Sequence, residues 1–195
     1  MNATLIDQPG VYDLPADLYH ADPVPGGSLS ASGARRLLPP SCPALFHHWA
    51  THGQEHRAVF DVGHAAHAAV LGVGAPTVVV DAPDWRTKAA QQARDTAYAD
   101  GSTPILRADH ERVQAMAGRL RAHPVASVLF SPGRGRPEQS LLWVDAEFGI
   151  WRRAMLDWLP DAIPTGRMIV PDYKTTTSVH PPRLAKALYE YGYIQ

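Results

Sequence analysis

The chain has 195 residues, of which 45% are hydrophobic and 19% are charged, a balance that is typical of a globular protein and excludes a disordered one. Its formal net charge of −1 excludes a strong overall field for nucleic acid, so any such binding must come from local patches. The single cysteine, Cys42, excludes an internal disulfide framework and is typical of a reducing compartment.

The N-terminal part, residues 1–55, is predicted to be an arm followed by short helices. It begins without a signal-peptide pattern, and no apolar run in the chain approaches the roughly 20 residues of a membrane span, so we expect a cytoplasmic protein with no membrane partner. The stretch GVYDLPADLYHADP indicates a short strand and a helical turn. Ser30 is a suitable N-cap for a helix ending at Leu38, and a second helix is predicted from Pro43 to about Thr51.

The middle part, residues 56–135, is predicted to be mainly helical, and its first helix contains a candidate site residue. Small residues dominate residues 56–71, and His67 lies on the mostly apolar face of this helix. His67 is therefore either a satisfied core residue or a metal ligand or proton-transfer group, and His64 is the rival candidate. The other predicted elements are a strand at 77–81 and helices at 85–98, 109–122 and 125–130.

The last part, residues 136–195, is predicted to form a sheet that carries a group of charged residues. Strands are predicted at 138–147, 150–159 and 167–170, with a turn at 148–149, and a helix at 183–191. Asp157 lies late in the second strand, and Asp172-Tyr173-Lys174 follows the third. Because side chains alternate along a strand, we expect Asp172 and Lys174 on one face and Tyr173 on the other.

These charged residues suit metal-assisted phosphodiester hydrolysis if the last two strands pair as a hairpin. Asp157 and Asp172 would then supply carboxylate oxygens, which hard cations such as Mg²⁺ prefer. Lys174 beside such a metal could orient or deprotonate a water. The alternative is that Asp157 caps a turn and that Asp172 and Lys174 form a surface ion pair.

The order of these residues along the chain resembles that of the PD-(D/E)XK nucleases. The order is a helix histidine, an acid at the start of a strand, an acid late in the next strand, and a D-x-K pair. The ordered strings GVYDLPADLYHADP, SLSASGARRLL, VGHAAHAAVLG, EQSLLWVD, MLDWLP, PDYKTTTS and YGYIQ are similar to the catalytic domain of RecE-type exonucleases (exonuclease VIII). They resemble the nuclease domain of RecB-type enzymes more distantly. The resemblance covers residues 10–195. It implies an α/β fold, a single PD-(D/E)XK domain over residues 1–195 with a short mixed sheet flanked by helices and a helical N-terminal half.

The resemblance also implies roles for individual residues. The family's G-x-A-x-H pattern falls on Gly63, Ala65 and His67, which selects His67 over His64. The implied metal ligands are Asp157, Asp172, the backbone carbonyl of Tyr173 and His67. Lys174 matches the motif lysine, and Glu138 is a secondary acid facing the site. Tyr193 and Gln195 match the start of a helix that holds DNA or the lysine. The residues expected to contact DNA are Arg134, Arg136, Arg152, Arg153 and Tyr193.

The implied activity is a Mg²⁺-dependent deoxyribonuclease, with Mn²⁺ as a substitute, that degrades one strand of linear duplex DNA from the 5′ end. The implied partners are DNA ends, a RecT-type single-strand annealing protein in phage-type recombination, and further copies of the chain in a ring. Relatives continue beyond the residue matching Gln195, so the resemblance implies a C-terminally truncated or incomplete domain.

Two alternatives belong to other functional classes. One is a catalytically inactive DNA-binding or assembly module with the same fold. The other is a histidine-rich metalloprotein that uses His47, His48, His52, His56, His64 and His67.

Overall fold

The structure is a computed structural model that describes residues 5–53, 58–161 and 166–190. Within these ranges the helices are α1 (Ala16–His20), α2 (Ala31–Leu37), α3 (Pro43–His52), α4 (Asp61–Leu71), α5 (Lys88–Ala99), α6 (Arg107–Ala122), α7 (Ala126–Leu129) and α8 (Pro181–Glu190). The strands are β1 (Gly10–Tyr12), β2 (Leu29–Ser30), β3 (Thr77–Val80), β4 (Thr103–Leu106), β5 (Gly135–Val144) and β6 (Trp151–Pro160). A 3₁₀ turn, Ala58–Phe60, precedes α4. None of the described helices has both the length and the apolar character needed to cross a bilayer.

The main sheet is mixed and has the strand order β1-β5-β6-β2. β5 and β6 form a long antiparallel hairpin, β1 is antiparallel to β5, and β2 is parallel to β6. A separate two-stranded sheet pairs β3 with β4 in parallel. The predicted α/β class and the mixed sheet are therefore confirmed.

The turn between β5 and β6 forms where the sequence predicts it. The side-chain Oδ1 of Asp145 accepts the backbone N–H groups of Glu147 and Phe148, each at 3.0 Å. Gly149 adopts a φ of +64°, which costs glycine little because it has no Cβ. This turn sets the register of the whole hairpin and hence the residues that face each other near its far end.

The predicted third strand, residues 167–170, is wrong. In the structure these residues are exposed and belong to a segment without helix or strand that runs from 166 to 180. The edges of the sheet are formed instead by N-terminal residues, with Gly10 opposite Leu142 and Leu29 opposite Arg152. Met168, Ile169 and Val170 are apolar and β-prone, but such a pattern does not reveal whether a neighbouring strand pairs with them.

The helical layer is built around α4, which packs against α6 and β4. Its core consists of the buried residues Ala65, Ala66, Ile105 and Val113, with Val62, Ala69, Met116 and Tyr173 packed against them. The predicted helices at 85–98 and 109–122 correspond to α5 and α6. α4 begins at Asp61, later than the predicted start at residue 56, which itself lies outside the described residues. The small side chains of α4 allow its neighbours to approach closely.

The N-terminal arm packs against the main sheet at Leu142 of β5. Ile6, Val24 and Leu142 form a second buried cluster. Beside it, the Arg153 guanidinium is 6% exposed and donates from Nη1 to the Asp22 carboxylate and to the carbonyl oxygen of Ser28, the latter at 2.7 Å. These contacts fasten the arm to β6.

Candidate active site

Asp157 is the residue on which three parts of the chain converge. Its Oδ2 accepts the backbone N–H of Tyr173 at 2.6 Å. The same oxygen lies 3.7 Å from Lys174 Nζ and 3.9 Å from His67 Nδ1. Strand β6, helix α4 and the irregular 166–180 segment therefore meet at one carboxylate whose side chain is only 13% exposed.

Asp172 and Lys174 form the open side of this group. Lys174 Nζ donates to Asp172 Oδ1 at 2.6 Å, and the two side chains are 42% and 52% exposed for the lysine and the aspartate. Tyr173, between them in the chain, packs on the α4 core and places its ring 5.4 Å from the ring of His67. The carboxylates of Asp157 and Asp172 converge on one cation, the Lys174 ammonium.

Helix α4 brings His67, not His64, to the site. His67 is half-buried and adjoins Asp157, whereas His64 is exposed one turn earlier. At Gly63, on the same side of the helix, an added Cβ would lie 3.6 Å from Thr175 Oγ1. The segment that carries Asp172 and Lys174 therefore lies close to α4 at Gly63, a contact that the sequence pattern did not reveal.

Glu138 lies opposite Asp157 in the β5–β6 hairpin. The register pairs Pro137 with Trp158 and Gln139 with Leu156. Glu138, which follows Pro137, therefore stands across from Asp157, which precedes Trp158. Glu138 is half-buried and adopts a φ of +46°, which is uncommon for a residue with a side chain. Two acids facing each other across strands destabilise a sheet, and left-handed backbone at a non-glycine residue is often found at functional sites.

Burial raises the pKa values of the two acids Asp157 and Glu138. Burial raises the pKa of the Asp157 carboxyl, an effect that the Lys174 and His67 charges oppose and that Asp172 reinforces. Burial likewise raises the pKa of Glu138, with His67 opposing it and Asp157 adding to it. Carboxyl groups held above their ordinary pKa by desolvation and by one another gain from an added cation nearby.

The oxygen atoms of this site are of the type that binds a hard divalent cation. Asp157, Asp172 and the Tyr173 carbonyl would offer oxygen, and Mg²⁺ commonly uses one or two carboxylates while keeping several waters. Across residues 5–53, 58–161 and 166–190, no three His, Cys, Asp or Glu side chains are grouped closely enough to hold one ion. The fit rests on two carboxylates that already share one positive charge.

The residues expected to contact DNA divide into two groups. Arg134 and Arg136 are exposed at the start of β5, and Arg136 pairs in register with Leu159, two residues from Asp157. Arg152 instead lies 3.0 Å from the Asp145 carboxylate at the other end of the hairpin. The buried ion pair of Arg153 corrects the expectation for that residue, because its guanidinium faces Asp22 and Ser28 rather than solvent.

The remaining sequence candidates are residues outside the described ranges and the histidine set. Tyr193 and Gln195 lie outside the described residues, as does His56. The remaining members of the histidine set are divided between α3, which carries His47, His48 and His52, and α4, which carries His64 and His67.

Sequence reasoning missed a part-buried polar contact between α5 and α4. Tyr98 of α5 donates its hydroxyl to the Asp61 carboxylate at 2.5 Å, at the first residue of α4. Burial and this carboxylate raise the pKa of Tyr98 to about 12. No local pattern signals the pair, because its members are 37 residues apart in the chain. The contact ties α5 to the start of the helix that carries His67.

Comparison of the chain with protein-family models, with curated proteins and with solved structures found no match.

Proposed function

We propose that the chain is the catalytic part of a Mg²⁺-dependent deoxyribonuclease of the PD-(D/E)XK type that acts on linear duplex DNA as RecE-type exonucleases do. The observation that carries the proposal is the convergence of Lys174 and His67 on the buried carboxylate of Asp157, at 3.7 and 3.9 Å. Asp172 completes the group through its 2.6 Å contact with Lys174. The ordered motif strings supply the substrate class.

Asp157, Asp172 and the Tyr173 carbonyl would hold the metal, with His67 on one side. A divalent cation in such a site polarises the scissile phosphate and lowers the pKa of a water. The Tyr173 N–H bond to Asp157 fixes the orientation of this carboxylate and the position of its neighbour Lys174. The site is therefore preorganised by the backbone of the 166–180 segment.

Lys174 is the cationic side chain beside the reacting phosphate in this proposal. Its ammonium is partly exposed, so it can turn from Asp172 towards a phosphate oxygen and oppose the negative charge that develops there. Glu138 and His67 lie on the buried side of the group. His67 supplies a nitrogen that can accept or donate a proton, and Glu138 adds negative charge that favours a cation.

Exposed arginines near the site would bind the DNA backbone. Arg134 and Arg136 stand at the same end of the hairpin as Asp157 and carry donors suited to phosphate. The 5′ to 3′ direction, the transfer of the remaining strand to a RecT-type annealing protein, and a ring-shaped homo-oligomer belong to the proposal through the resemblance alone.

The proposal is tested by replacing Lys174 with alanine. We expect wild-type chain to shorten linear duplex DNA in Mg²⁺, and the variant to lose about 10²-fold or more of this rate because one charge-stabilising donor is gone. Lys88→Ala is the matched control, since Lys88 is an exposed lysine at the first residue of α5. The control should keep the wild-type rate.

Equal cleavage by wild type and Lys174→Ala would remove the nuclease assignment from this site. A wild-type chain that binds duplex DNA in Mg²⁺ without cutting it would favour the second candidate, a non-catalytic DNA-binding module. One observation favours that candidate. The Asp157 carboxylate already has two partners within the chain, the Lys174 ammonium and the Tyr173 N–H.

A further inference from the structure

Helix α3 presents two neighbouring imidazoles on its surface. His48 and His52 are one helical turn apart, both are exposed, and their ring centroids are 4.2 Å apart with the ring planes tilted by 31°. Residues at i and i+4 lie side by side on a helix, so both rings belong to one face. This pair lies on a different element from those that form the Asp157 site.

The backbone fixes the orientation of one of the two rings. His52 Nδ1 lies 2.9 Å from the backbone carbonyl oxygen of His48. The same nitrogen lies 2.8 Å from the Thr51 hydroxyl oxygen. In the tautomer in which Nδ1 donates to the His48 carbonyl, Nε2 keeps its lone pair. Metal-binding histidines commonly hold their second nitrogen in this way, because the bond selects the tautomer and orients the ring.

The spacing of the rings suits a shared metal ion. Two nitrogens bound at about 2.0–2.1 Å to a tetrahedral centre lie roughly 3.3 Å apart, a separation that rings about 4 Å apart reach by a small rotation. Pairs of histidines at i and i+4 on one helix face are a recurrent zinc-binding arrangement. Imidazole nitrogen suits Zn²⁺, Cu²⁺ and Ni²⁺, whereas Mg²⁺ prefers oxygen.

We propose that His48 and His52 form a two-histidine chelating site for a transition metal of the Zn²⁺ class on the surface of α3. Water completes the coordination, so the ion is exchangeable and the metal remains accessible. The site is separate from the carboxylate group around Asp157 and requires a different kind of cation. Its existence does not depend on the nuclease proposal.

The test is calorimetric titration of the whole chain with ZnCl₂ near pH 7.5. All proteins carry Asp157→Asn, which removes the central carboxylate of the other candidate metal site. We expect His48→Ala and His52→Ala each to weaken the tightest Zn²⁺ binding about tenfold or more, because each leaves a single imidazole. His47→Ala is the matched control, an exposed histidine of the same helix, and should bind as its parent does.

Loss of folding does not confuse this result, because alanine is a better helix former than histidine at exposed positions. Equal Zn²⁺ affinity in all four proteins would overturn the proposal. An equal loss in the His47→Ala control would also overturn it, since binding would then reflect histidine content and not the pair. Nuclease activity plays no part in the readout, so the two proposals fail or stand separately.

Discussion

At the scale of the residue, Asp157 combines a cost of burial with the chemical role that we propose for it. Its carboxylate is largely buried and accepts one backbone N–H, with Lys174 and His67 nearby. Its pKa is raised, because burial outweighs the opposing effects of Lys174 and His67. The folded chain therefore holds the ionised form less favourably than the unfolded chain does.

Replacing Asp157 with asparagine should separate fold stability from activity. A raised pKa means that the carboxyl contributes most to stability at low pH, and this contribution is lost as pH rises through its folded pKa. We expect Asp157→Asn to have a melting temperature equal to or above that of wild type near pH 8, with the difference closing towards about pH 4. Nuclease activity should fall about 10²-fold or more.

Thermal unfolding across this pH range, followed by circular dichroism, measures the effect. Glu111→Gln is the control, because Glu111 is an exposed acid on α6. The expectation fails if Asp157→Asn is less stable than wild type near pH 8 while the control is unchanged.

At the scale of the element, the helices follow from sequence more closely than the sheet does. The Ser30 side chain accepts the Gly33 N–H at 3.1 Å, as a cap predicted from its residue type should. α5 and α6 begin within a few residues of their predicted starts, because apolar spacing and capping are local signals. The two-residue strand β2 could not be predicted, since its only strand-like property is its distant partner β6.

The residues that meet at Asp157 could be named from the sequence, but the way they are brought together could not. The D-x-K pattern and its distance from Asp157 indicate Asp157, Asp172 and Lys174, whereas His67 is selected over His64 only by the resemblance to RecE-type exonucleases. The sequence predicts their assembly through a third strand, whereas the structure uses the Tyr173 N–H bond and an irregular segment. Such a side-chain-to-backbone contact has no periodicity along the chain, so no pattern predicts it.

Two glycines of the described elements should respond to alanine in opposite directions. At Gly135 an added Cβ would lie 2.6 Å from the Leu159 carbonyl oxygen of the paired strand, so Gly135→Ala should destabilise the fold by about 1–3 kcal/mol. At Gly118 in α6 nothing lies within 4 Å, so Gly118→Ala should stabilise by about 0.5–1 kcal/mol. Urea denaturation measures both, and a stable Gly135→Ala variant would contradict the close packing of the hairpin.

At the scale of the whole molecule, the hairpin serves as a common support for two different surfaces. Near one end of β6 the N-terminal arm packs over Arg153, and further along the strand Asp157 meets α4 and the 166–180 segment. Four residues separate these positions, which is about 13 Å along a strand. Charge at the first position therefore stabilises the fold, while exposed charge near the second is available to a ligand.

Substituting Arg136 and Arg153 should distinguish these two uses of positive charge. Arg136→Ala should weaken duplex DNA binding and reduce the slope of log K against log salt by about one, with an unchanged melting temperature. Arg153→Ala should destabilise the fold by about 1.5–3 kcal/mol, because it removes the buried guanidinium and its bonds to Asp22 and Ser28, while Asp22 keeps its bonds from Ser28.

Fluorescence anisotropy at several salt concentrations gives the binding slope, and urea denaturation gives the stability. Arg119→Ala, at an exposed arginine of α6, controls for a general loss of positive charge. An Arg136→Ala slope equal to that of this control would argue against a DNA-facing role for the start of β5.

The left-handed backbone of Glu138 restricts which replacements evolution or a designer can use there. Glycine and asparagine adopt a φ of +46° more readily than glutamate, but neither brings a negative charge opposite Asp157. Selection for thermal robustness alone should therefore drift towards these two neutral residues, while selection for DNA cleavage should keep an acid. Aspartate is the compromise, since it tolerates the backbone and retains the charge on a shorter arm.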